Sequence, residues 1–213
     1  MLPLVQNFRT VILANGEFPK HSVALSFLDN AERIICCDGA TQSLLNYGLK
    51  PTMIVGDLDS LTDELAERFS DRLLKENEQE SNDLTKAVNY CVSMGFKDIT
   101  ILGATGKRED HTLGNISLLA DYTDMANVQM ITDYGVFNAI RQTTEFESFV
   151  GQQISIFCVE QLVKISTIKL KYPLPNKAIP AWWMGTLNEA LEDTFGLEFS
   201  KGKFMVFRQH RSN

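Results

Sequence analysis

The stretch PTMIVGDLDS, residues 51–60, contains a short apolar run, Met53 to Val55, followed by a glycine and two aspartates, Asp57 and Asp59. An apolar run with a β-branched pair and a glycine after it is typical of a buried strand that ends in a tight turn. In open α/β sheets the carboxyl ends of strands face the ligand crevice, so we expect both carboxylates to lie where a substrate binds. The pair fits either a metal site or a solvated turn.

The composition is that of a compact globular protein. The 213 residues are 44% hydrophobic and 22% charged, which suits one large domain or two small ones. The four cysteines have no CxxC spacing, and we expect them to be reduced thiols in the core. The N-terminal residues lack the basic start of a signal peptide, and no run of about 18 apolar residues occurs. These features predict a cytoplasmic protein.

The negative charge is concentrated in one segment. The net charge is −7, and residues 57–83 account for all of it, with ten acids against three bases. The rest of the chain is balanced, which argues against a nucleic-acid partner and against a polybasic membrane contact. The acids between residues 61 and 74 are expected to form a solvated helix face.

The first 140 residues alternate between strand and helix patterns. Strands are predicted at residues 10–14, 31–37, 53–55, 98–102 and 128–132, and helices at residues 44–47, 61–74, 81–94 and 113–121. Strands separated by helices predict an α/β domain with a mostly parallel sheet and helices on both faces.

From about Thr144 the pattern changes to short β-like runs, at residues 153–159, 163–170, 196–199 and 204–208. We expect a smaller antiparallel β-sandwich over residues 144–213, after an α/β domain over residues 1–143. Because so few strands can build only a small core, we expect this domain to pack on the first domain or on a second subunit.

Two further segments carry chemistry. Glu80 and Asp83 flank the start of a helix at Ser81, where an acid is explained by helix capping as well as by metal binding. The segment GATGKREDHTLGN, residues 103–115, follows a strand, and its glycines and basic residues suit the approach of phosphate oxygens. It is not a Walker A loop, which ends in Gly-Lys-Ser/Thr. His111 fits a nucleotide contact or a packing role.

Together, in this order, six segments resemble the thiamine pyrophosphokinase family over about residues 11–190. They are LANGEFP, CDGA, PTMIVGDLDS, SNDLTKAV, GATGKREDHTLGN and LKYPL, which begin at residues 13, 37, 51, 81, 103 and 170. The resemblance implies an α/β nucleotide domain joined to a β-sandwich, and a homodimer. It also implies an ATP-dependent diphosphotransferase of thiamine diphosphate biosynthesis, which transfers the diphosphoryl group of ATP to the thiamine hydroxyl and releases AMP.

The resemblance also implies roles for individual residues. The magnesium ligands would be Asp57, Asp59, Glu80 and Asp83. The nucleotide would be bound by Asp38, Gly103, Thr105, Gly106, Arg108, Asp110, His111 and Asn115. Thiamine would be bound by Tyr172 and Asn188. The chain departs from the family pattern at Asn82, where threonine is common, and at Leu187, where serine is usual before Asn188.

These residue types suit the implied reaction. Mg²⁺ held by carboxylate oxygens neutralises a polyphosphate and aligns the nucleophile with the leaving group. Three carboxylates are candidates to accept the hydroxyl proton: Asp57, Asp59 and Asp83. Arg108, and also Lys107 or Lys86, could stabilise charge on the bridging oxygen. Acidic surroundings favour a cationic thiazolium ring.

Thiamine rings require an aromatic surface. Tyr172 could provide it, or the pair Trp182 and Trp183, through stacking and cation–π contact. The two tryptophans equally fit the core of the sandwich or a subunit interface.

Two other functions compete with this interpretation. A strand that runs into Asp-x-Asp is also the signature of haloacid-dehalogenase-type phosphohydrolases, in which the first aspartate is a covalent nucleophile. That motif usually lies on the first strand and is followed by Thr or Val, whereas two predicted strands precede Asp57 and Ser60 follows Asp59. A non-enzymatic sensor of magnesium nucleotide or thiamine is expected to have lost a carboxylate, and all four positions are acidic here.

Overall fold

The computed structural model describes residues 1–76, 78 and 80–211. It divides into two compact units. The α/β unit comprises Phe8–Leu118 and Met125–Asp133. The β unit comprises Met1–Asn7, Leu119–Asp124 and the chain from Tyr134 onward. In the described part of the chain, no helix combines the length and the apolar character needed to span a membrane.

The α/β unit is built on six parallel strands. They are β1 (Thr10–Leu13), β2 (Arg33–Cys37), β3 (Met53–Gly56), β4 (Leu73–Lys75), β5 (Asp98–Leu102) and β6 (Asn127–Ile131). The helices are α1 (Ser22–Asp29), α2 (Thr41–Tyr47), α3 (Asp63–Arg68), α4 (Asp83–Ser93) and α5 (Glu109–Tyr122), and the last turn of α5 belongs to the β unit. The predicted mostly parallel α/β fold is confirmed.

The strand order explains where a ligand can bind. The strands lie in the order β6-β5-β1-β2-β3-β4, and each neighbouring pair in this series is parallel. The chain leaves β1 toward β2 on one side and later returns to β5 on the other side. In such sheets the loops at the carboxyl ends of the strands separate at this switch point and leave a crevice between them.

Several boundaries in the α/β unit differ from the sequence predictions, and two of the differences are described here. The helix predicted over residues 61–74 ends at Arg68, and residues 73–75 instead form β4, which pairs with β3. The apolar residues of this segment pack against Ile54 of β3, so sheet pairing wins over helix propensity. The helix α5 begins at Glu109, four residues before the predicted start. Helix α1 was absent from the sequence predictions.

The β unit contains two antiparallel sheets. Its strands are β7 (Gly135–Ile140), β8 (Thr144–Glu147), β9 (Gln153–Cys158), β10 (Lys164–Ile168), β11 (Lys177–Ala178), β12 (Asn188–Glu189), β13 (Thr194–Glu198) and β14 (Phe204–Gln209). One sheet has the order β12-β9-β14-β7 and the other β11-β10-β13-β8. Phe146, Phe195 and Phe204 lie in the core between them, so the predicted antiparallel sandwich is confirmed. Strands β7, β8, β11 and β12 were not predicted.

Arg208 is a fully buried residue at the centre of the β unit. Its guanidinium donates to Asn138 Oδ1 and to the backbone carbonyl oxygens of Leu2, Pro3, Leu4 and Glu147. Burial lowers the pKa of Arg208 to about 10. The Arg208 side chain therefore stays charged at neutral pH. It holds residues 2–4 within the β unit by donating to their carbonyl oxygens.

Arg208→Leu should lower the free energy of unfolding by about 3 kcal/mol or more, because four part-buried carbonyl oxygens and the buried Asn138 side chain lose this donor together. Equilibrium urea unfolding measures this loss. The matched control is Arg211→Leu, since Arg211 is exposed and stacks 4.7 Å above the Phe149 ring. Its expected cost is below about 1 kcal/mol. Equal losses in the two variants would contradict the role assigned to Arg208.

Candidate active site

A cleft of about 520 Å³ lies where the carboxyl ends of β1, β2, β3 and β5 meet the first turns of α4 and α5. Its lining includes three acids, three cations and several small polar residues. The predicted site residues in the lining are Asp38, Asp57, Asp83, Thr105, Arg108, His111 and Asn115. The cleft thus occupies the crevice that the strand order creates.

Asp38, directly after β2, is the most buried acid of the cleft, with 3% of its surface exposed. One carboxylate oxygen accepts a hydrogen bond of 2.6 Å from the Gly39 amide. The other oxygen, Oδ2, has no hydrogen-bond partner among the described residues. Burial raises the pKa of Asp38, and the negative charges of Asp83 and Asp57 raise it further, while the Gly39 and Ser60 amides oppose the shift. The charge of Asp38 is therefore disfavoured both by burial and by its two acidic neighbours.

The glycine that precedes Asp57 is required by this packing. A Cβ atom at Gly56 would lie 2.9 Å from Asp38 Cγ, closer than side chains approach. Leu58 then adopts a positive φ of 68°, which is uncommon for a residue with a side chain. The turn lets the Asp59 amide donate to Asp57 Oδ1 at 3.1 Å. Asp57 lines the cleft, whereas Asp59 is exposed and lies outside the lining.

Glu80 is the second predicted ligand that lies outside the lining. It is exposed, and its amide donates to the carboxylate of Glu78. Among the described residues, no three acidic, histidine or cysteine side chains are arranged as a preformed metal site. Even so, three acids around one cleft and an unpartnered buried oxygen fit a hard cation, because Mg²⁺ takes few protein ligands and completes its shell with water and phosphate.

The loops after β1 and β5 are joined through their main chains. The Gly16 amide donates to the Gly103 carbonyl oxygen at 2.6 Å, and the Glu17 amide donates to that of Thr105 at 2.7 Å. A Cβ atom at Gly16 would lie 2.3 Å from the Gly103 oxygen. Gly103 and Gly106 have positive φ and lie outside the lining, so the structure uses these two glycines to bring the loops together.

Two exposed cations reach the cleft from the β5 loop. Lys107 Nζ donates to Asn15 Oδ1 at 3.1 Å. Arg108 forms a two-point contact with Asp110, with its Nε 3.1 Å from Asp110 Oδ1, and this contact lowers the pKa of Asp110. Asp110 also accepts from the His111 amide and lies outside the lining. Asp110 therefore orients Arg108 and the first turn of α5.

A third cation, Lys86 of α4, is buried, and its Nζ lies 3.3 Å from Asp83 Oδ1. The start of α4 is linked to the neighbouring elements by amides. Asn82 caps the helix by accepting from the Thr85 amide, and it donates to Asn115, which in turn donates to the Ala104 carbonyl oxygen. Asn82 thus both caps α4 and links it to α5 through Asn115.

Several lining residues were not identified from the sequence: Asn15, Gly16, Cys37, Ser60, Ser81, Leu84 and Thr112. Asn15 and Ser60 follow β1 and β3, so the strand-end rule that drew attention to Asp57 could have found them. Cys37 is a buried thiol whose pKa is raised mainly by burial. All four cysteines are buried and unpaired, as predicted.

The residues predicted to bind thiamine lie in the β unit. Tyr172 is 60% exposed. Buried Asn188 accepts from the Tyr172 amide at 3.0 Å and donates to its carbonyl oxygen at 2.8 Å. Asn188 therefore holds the main chain that presents the Tyr172 ring. Trp182 donates to the Cys158 carbonyl oxygen and packs on the Phe157 ring, whereas Trp183 is 74% exposed.

Two family models match successive parts of the chain. "Thiamin pyrophosphokinase, catalytic domain" matches residues 24–132. "Thiamin pyrophosphokinase, substrate-binding domain" matches residues 135–207. The catalytic model thus covers the described acids and cations of the cleft, and the second model covers Tyr172 and Asn188.

Curated relatives carry the same family name. Thiamine pyrophosphokinase 1 of rice is 27% identical over 152 residues, which are 60% of this chain and 57% of that protein. Thiamine pyrophosphokinase of Bacillus subtilis (strain 168) is 32% identical over 114 residues, 51% of this chain and 52% of that protein. These matches span little more than half of either relative.

Solved structures match over nearly the whole chain. The thiamin pyrophosphokinase of Geobacillus thermodenitrificans has a TM-score of 0.78 and 26% identity, and the match covers 96% of this chain and 98% of that one. The Candida albicans thiamin pyrophosphokinase has a TM-score of 0.80 at 17% identity, over 98% of this chain and 92% of that one, and it supports the fold alone.

Asp38→Asn should stabilise the ligand-free protein at neutral pH. Because the pKa of Asp38 is higher in the folded protein than its ordinary value of 3.8, the folded state binds this proton more tightly. Stability is therefore lost as the pH rises from that value through the raised pKa. Asparagine keeps the oxygen that accepts from Gly39 and removes this loss.

Urea unfolding of both proteins between about pH 3 and 7 measures the difference, which should vanish toward the acidic end. A variant that is less stable than the wild type at neutral pH would show that the Asp38 charge is compensated.

Proposed function

Because the chain belongs to the thiamin pyrophosphokinase family, we propose that it is a thiamine diphosphokinase, which transfers the diphosphoryl group of ATP to the hydroxyl of thiamine and yields thiamine diphosphate and AMP. The observation that carries the proposal is a cleft at the sheet's switch point in which three aspartates and three cations face one space. Acids alone would repel a polyphosphate, and cations alone would not hold its metal ion. The combination suits a magnesium nucleotide.

The transfer makes and breaks one bond to phosphorus. The thiamine hydroxyl oxygen bonds to the β-phosphorus of ATP, the bond from that phosphorus to the α,β-bridging oxygen breaks, and AMP leaves with the bridging oxygen. The hydroxyl proton passes to a carboxylate. Of the three candidate acceptors, Asp57 and Asp83 lie in the lining and are the ones we favour, whereas Asp59 lies outside it.

We assign the metal to the same cleft. Asp57 and Asp83, with the unpartnered Oδ2 of Asp38 beside them, would hold Mg²⁺. When bound, the ion supplies charge neutralisation along the polyphosphate. The roles of Asp59 and Glu80 as direct ligands stay predictions, and their exposed positions are compatible with contacts through water.

The cations and polar groups of the lining would hold the nucleotide. Arg108, which Asp110 orients, is the candidate to stabilise charge on the bridging oxygen of the leaving group. Thr105, His111 and Asn115 line the same cleft and would bind the nucleotide's polar groups. Gly103 and Gly106 would act indirectly, because they allow the two loops to meet.

Thiamine would be bound by the β unit. An exposed tyrosine whose main chain is fixed on both sides by Asn188 is a preorganised surface for a cationic ring. We propose that residues 144–213 serve thiamine binding and dimerisation, while residues 1–143 bind nucleotide and metal. A cytoplasmic homodimer completes the proposal. The family matches favour this function over a haloacid-dehalogenase-type hydrolase or a sensor.

Purified protein should convert ATP and thiamine to AMP and thiamine diphosphate in the presence of Mg²⁺. Asp57→Asn should lower kcat/KM by about 10³-fold or more, because a charged group in the reaction cleft is lost. The matched control is Asp59→Asn, two residues away and exposed, with an expected loss below about 10-fold. Chromatography of the products separates AMP from ADP.

Formation of ADP or free phosphate would refute diphosphoryl transfer. Equal losses in the two variants would place Asp59 in the reaction site as firmly as Asp57.

Tyr172→Ala should raise the KM for thiamine about 10-fold and leave the KM for ATP unchanged, because a ring contact to one substrate is lost. Steady-state kinetics with each substrate varied in turn gives both constants. Tyr134→Ala removes another exposed tyrosine ring of the β unit and serves as the control. A rise in the KM for ATP alone would move Tyr172 out of the thiamine site.

A further inference from the structure

Lys86 differs from the other cations of the cleft. Its side chain is 5% exposed, and a buried ammonium is costly unless an opposite charge compensates it. The nearest compensating group is Asp83, whose Oδ1 lies 3.3 Å away and one helical turn earlier, and the charge of Lys86 also acts on the Glu78 carboxylate. Lys107 and Arg108, in contrast, are exposed, and they are bound to Asn15 of the β1 loop and to Asp110 of α5, respectively. Of the three cations in the lining, Lys86 is therefore the one paired with a carboxylate that we propose as a metal ligand.

Lys86 lines the cleft together with three aspartates. Asp38, Asp57 and Asp83 all face the cleft, and the negative charges of Asp57 and Asp83 both act on Asp38. Without ligands, Lys86 is the one buried cation among the described residues of the lining. It therefore offsets part of the repulsion among the carboxylates. A divalent cation that enters the cleft must compete with Lys86 for Asp83.

We propose that Lys86 is a counter-ion that changes partners, paired with Asp83 in the ligand-free protein and with the polyphosphate when a divalent cation occupies Asp83. This inference rests on the proposed function. A carboxylate that neutralises a divalent ion attracts a neighbouring ammonium less, and the two cations repel each other. The polyphosphate oxygens then supply the ammonium with a new, strongly accepting anion.

The exchange has a consequence that a purely structural lysine would not produce. Lys86 weakens the binding of a metal ion alone and strengthens the binding of a metal ion together with a polyphosphate. The two ligands are thereby coupled through one side chain, since each binds more tightly when the other is present. Lys86 thus makes the cleft bind a metal ion together with a polyphosphate in preference to a metal ion alone.

The test compares three proteins: wild type, Lys86→Met and Lys107→Met. The Kd for Mn²⁺ alone, measured from the paramagnetic resonance signal of free Mn²⁺, should fall about 3- to 10-fold in Lys86→Met, because a competing charge is removed. The affinity for methylene diphosphonate in the presence of Mg²⁺ should fall about 10-fold or more, because a phosphate contact is lost. Lys107→Met should weaken diphosphonate binding without tightening Mn²⁺.

Opposite changes in the two affinities support the proposal, and Lys86→Arg, which keeps the charge, should restore both toward wild type. Unchanged or weaker binding of Mn²⁺ by folded Lys86→Met would overturn it. The wild type gives an independent readout if that variant does not fold: the NMR signal of the Lys86 side chain should shift on addition of Mg²⁺ alone and again with methylene diphosphonate. A signal that does not respond to Mg²⁺ overturns the exchange.

The two proposals fail separately. The Mn²⁺ measurement involves neither thiamine nor turnover, so tighter Mn²⁺ binding by Lys86→Met without any thiamine diphosphate formation would refute the proposed reaction and keep the counter-ion exchange. Normal thiamine diphosphate formation by the wild type, together with unaltered Mn²⁺ binding by Lys86→Met, would keep the proposed reaction and refute the counter-ion exchange.

Discussion

The main-chain contact between the loops that follow β1 and β5 is the constraint on which the cleft depends. These loops start on the neighbouring strands β1 and β5 and run on to different helices, α1 and α5, at the switch point where such loops separate. The join uses the Gly16 amide and the Gly103 carbonyl oxygen, at a separation that leaves no space for a Cβ atom at position 16. Because the backbone itself is fixed, Asn15, Thr105 and Lys107 line the cleft from a rigid base.

Within this rigid frame the cleft holds charges that oppose folding. Asp38 is buried with an oxygen that no described residue satisfies, and Asp57 and Asp83 repel it. A cluster of this kind persists only where surrounding structure enforces it, and here Gly56 and the Gly39 amide hold Asp38 in place. A bound cation would offset these negative charges. In the cleft itself, Lys86 pairs with one of the three carboxylates, that of Asp83.

The sequence predicted the features that follow from strand ends and failed where tertiary contacts decide. Periodicity located β5 and α4 within two residues, and the Asp-x-Asp turn after β3 pointed to the cleft. It could not show that Leu58 adopts a left-handed conformation, which brings Asp57 to the lining and leaves Asp59 outside. Nor could the sequence show that residues 73–75 form a strand rather than a helix, because that conformation depends on hydrogen bonding to β3. The sequence also could not show that the two glycines of the β5 loop, which we predict to let phosphate approach, pack closely against the β1 loop.

The buried guanidinium of the β unit sets an order on events during synthesis. Arg208 and Leu2 are 206 residues apart in sequence, so their contact closes a very long loop. The residues of the α/β unit lie between them and make most of their contacts with one another. During translation the α/β unit can therefore fold before Arg208 has been made, whereas the carbonyl oxygens of residues 2–4 gain this donor only afterwards. Contacts of such high sequence separation form slowly, so we expect the β unit to complete its packing after the α/β unit.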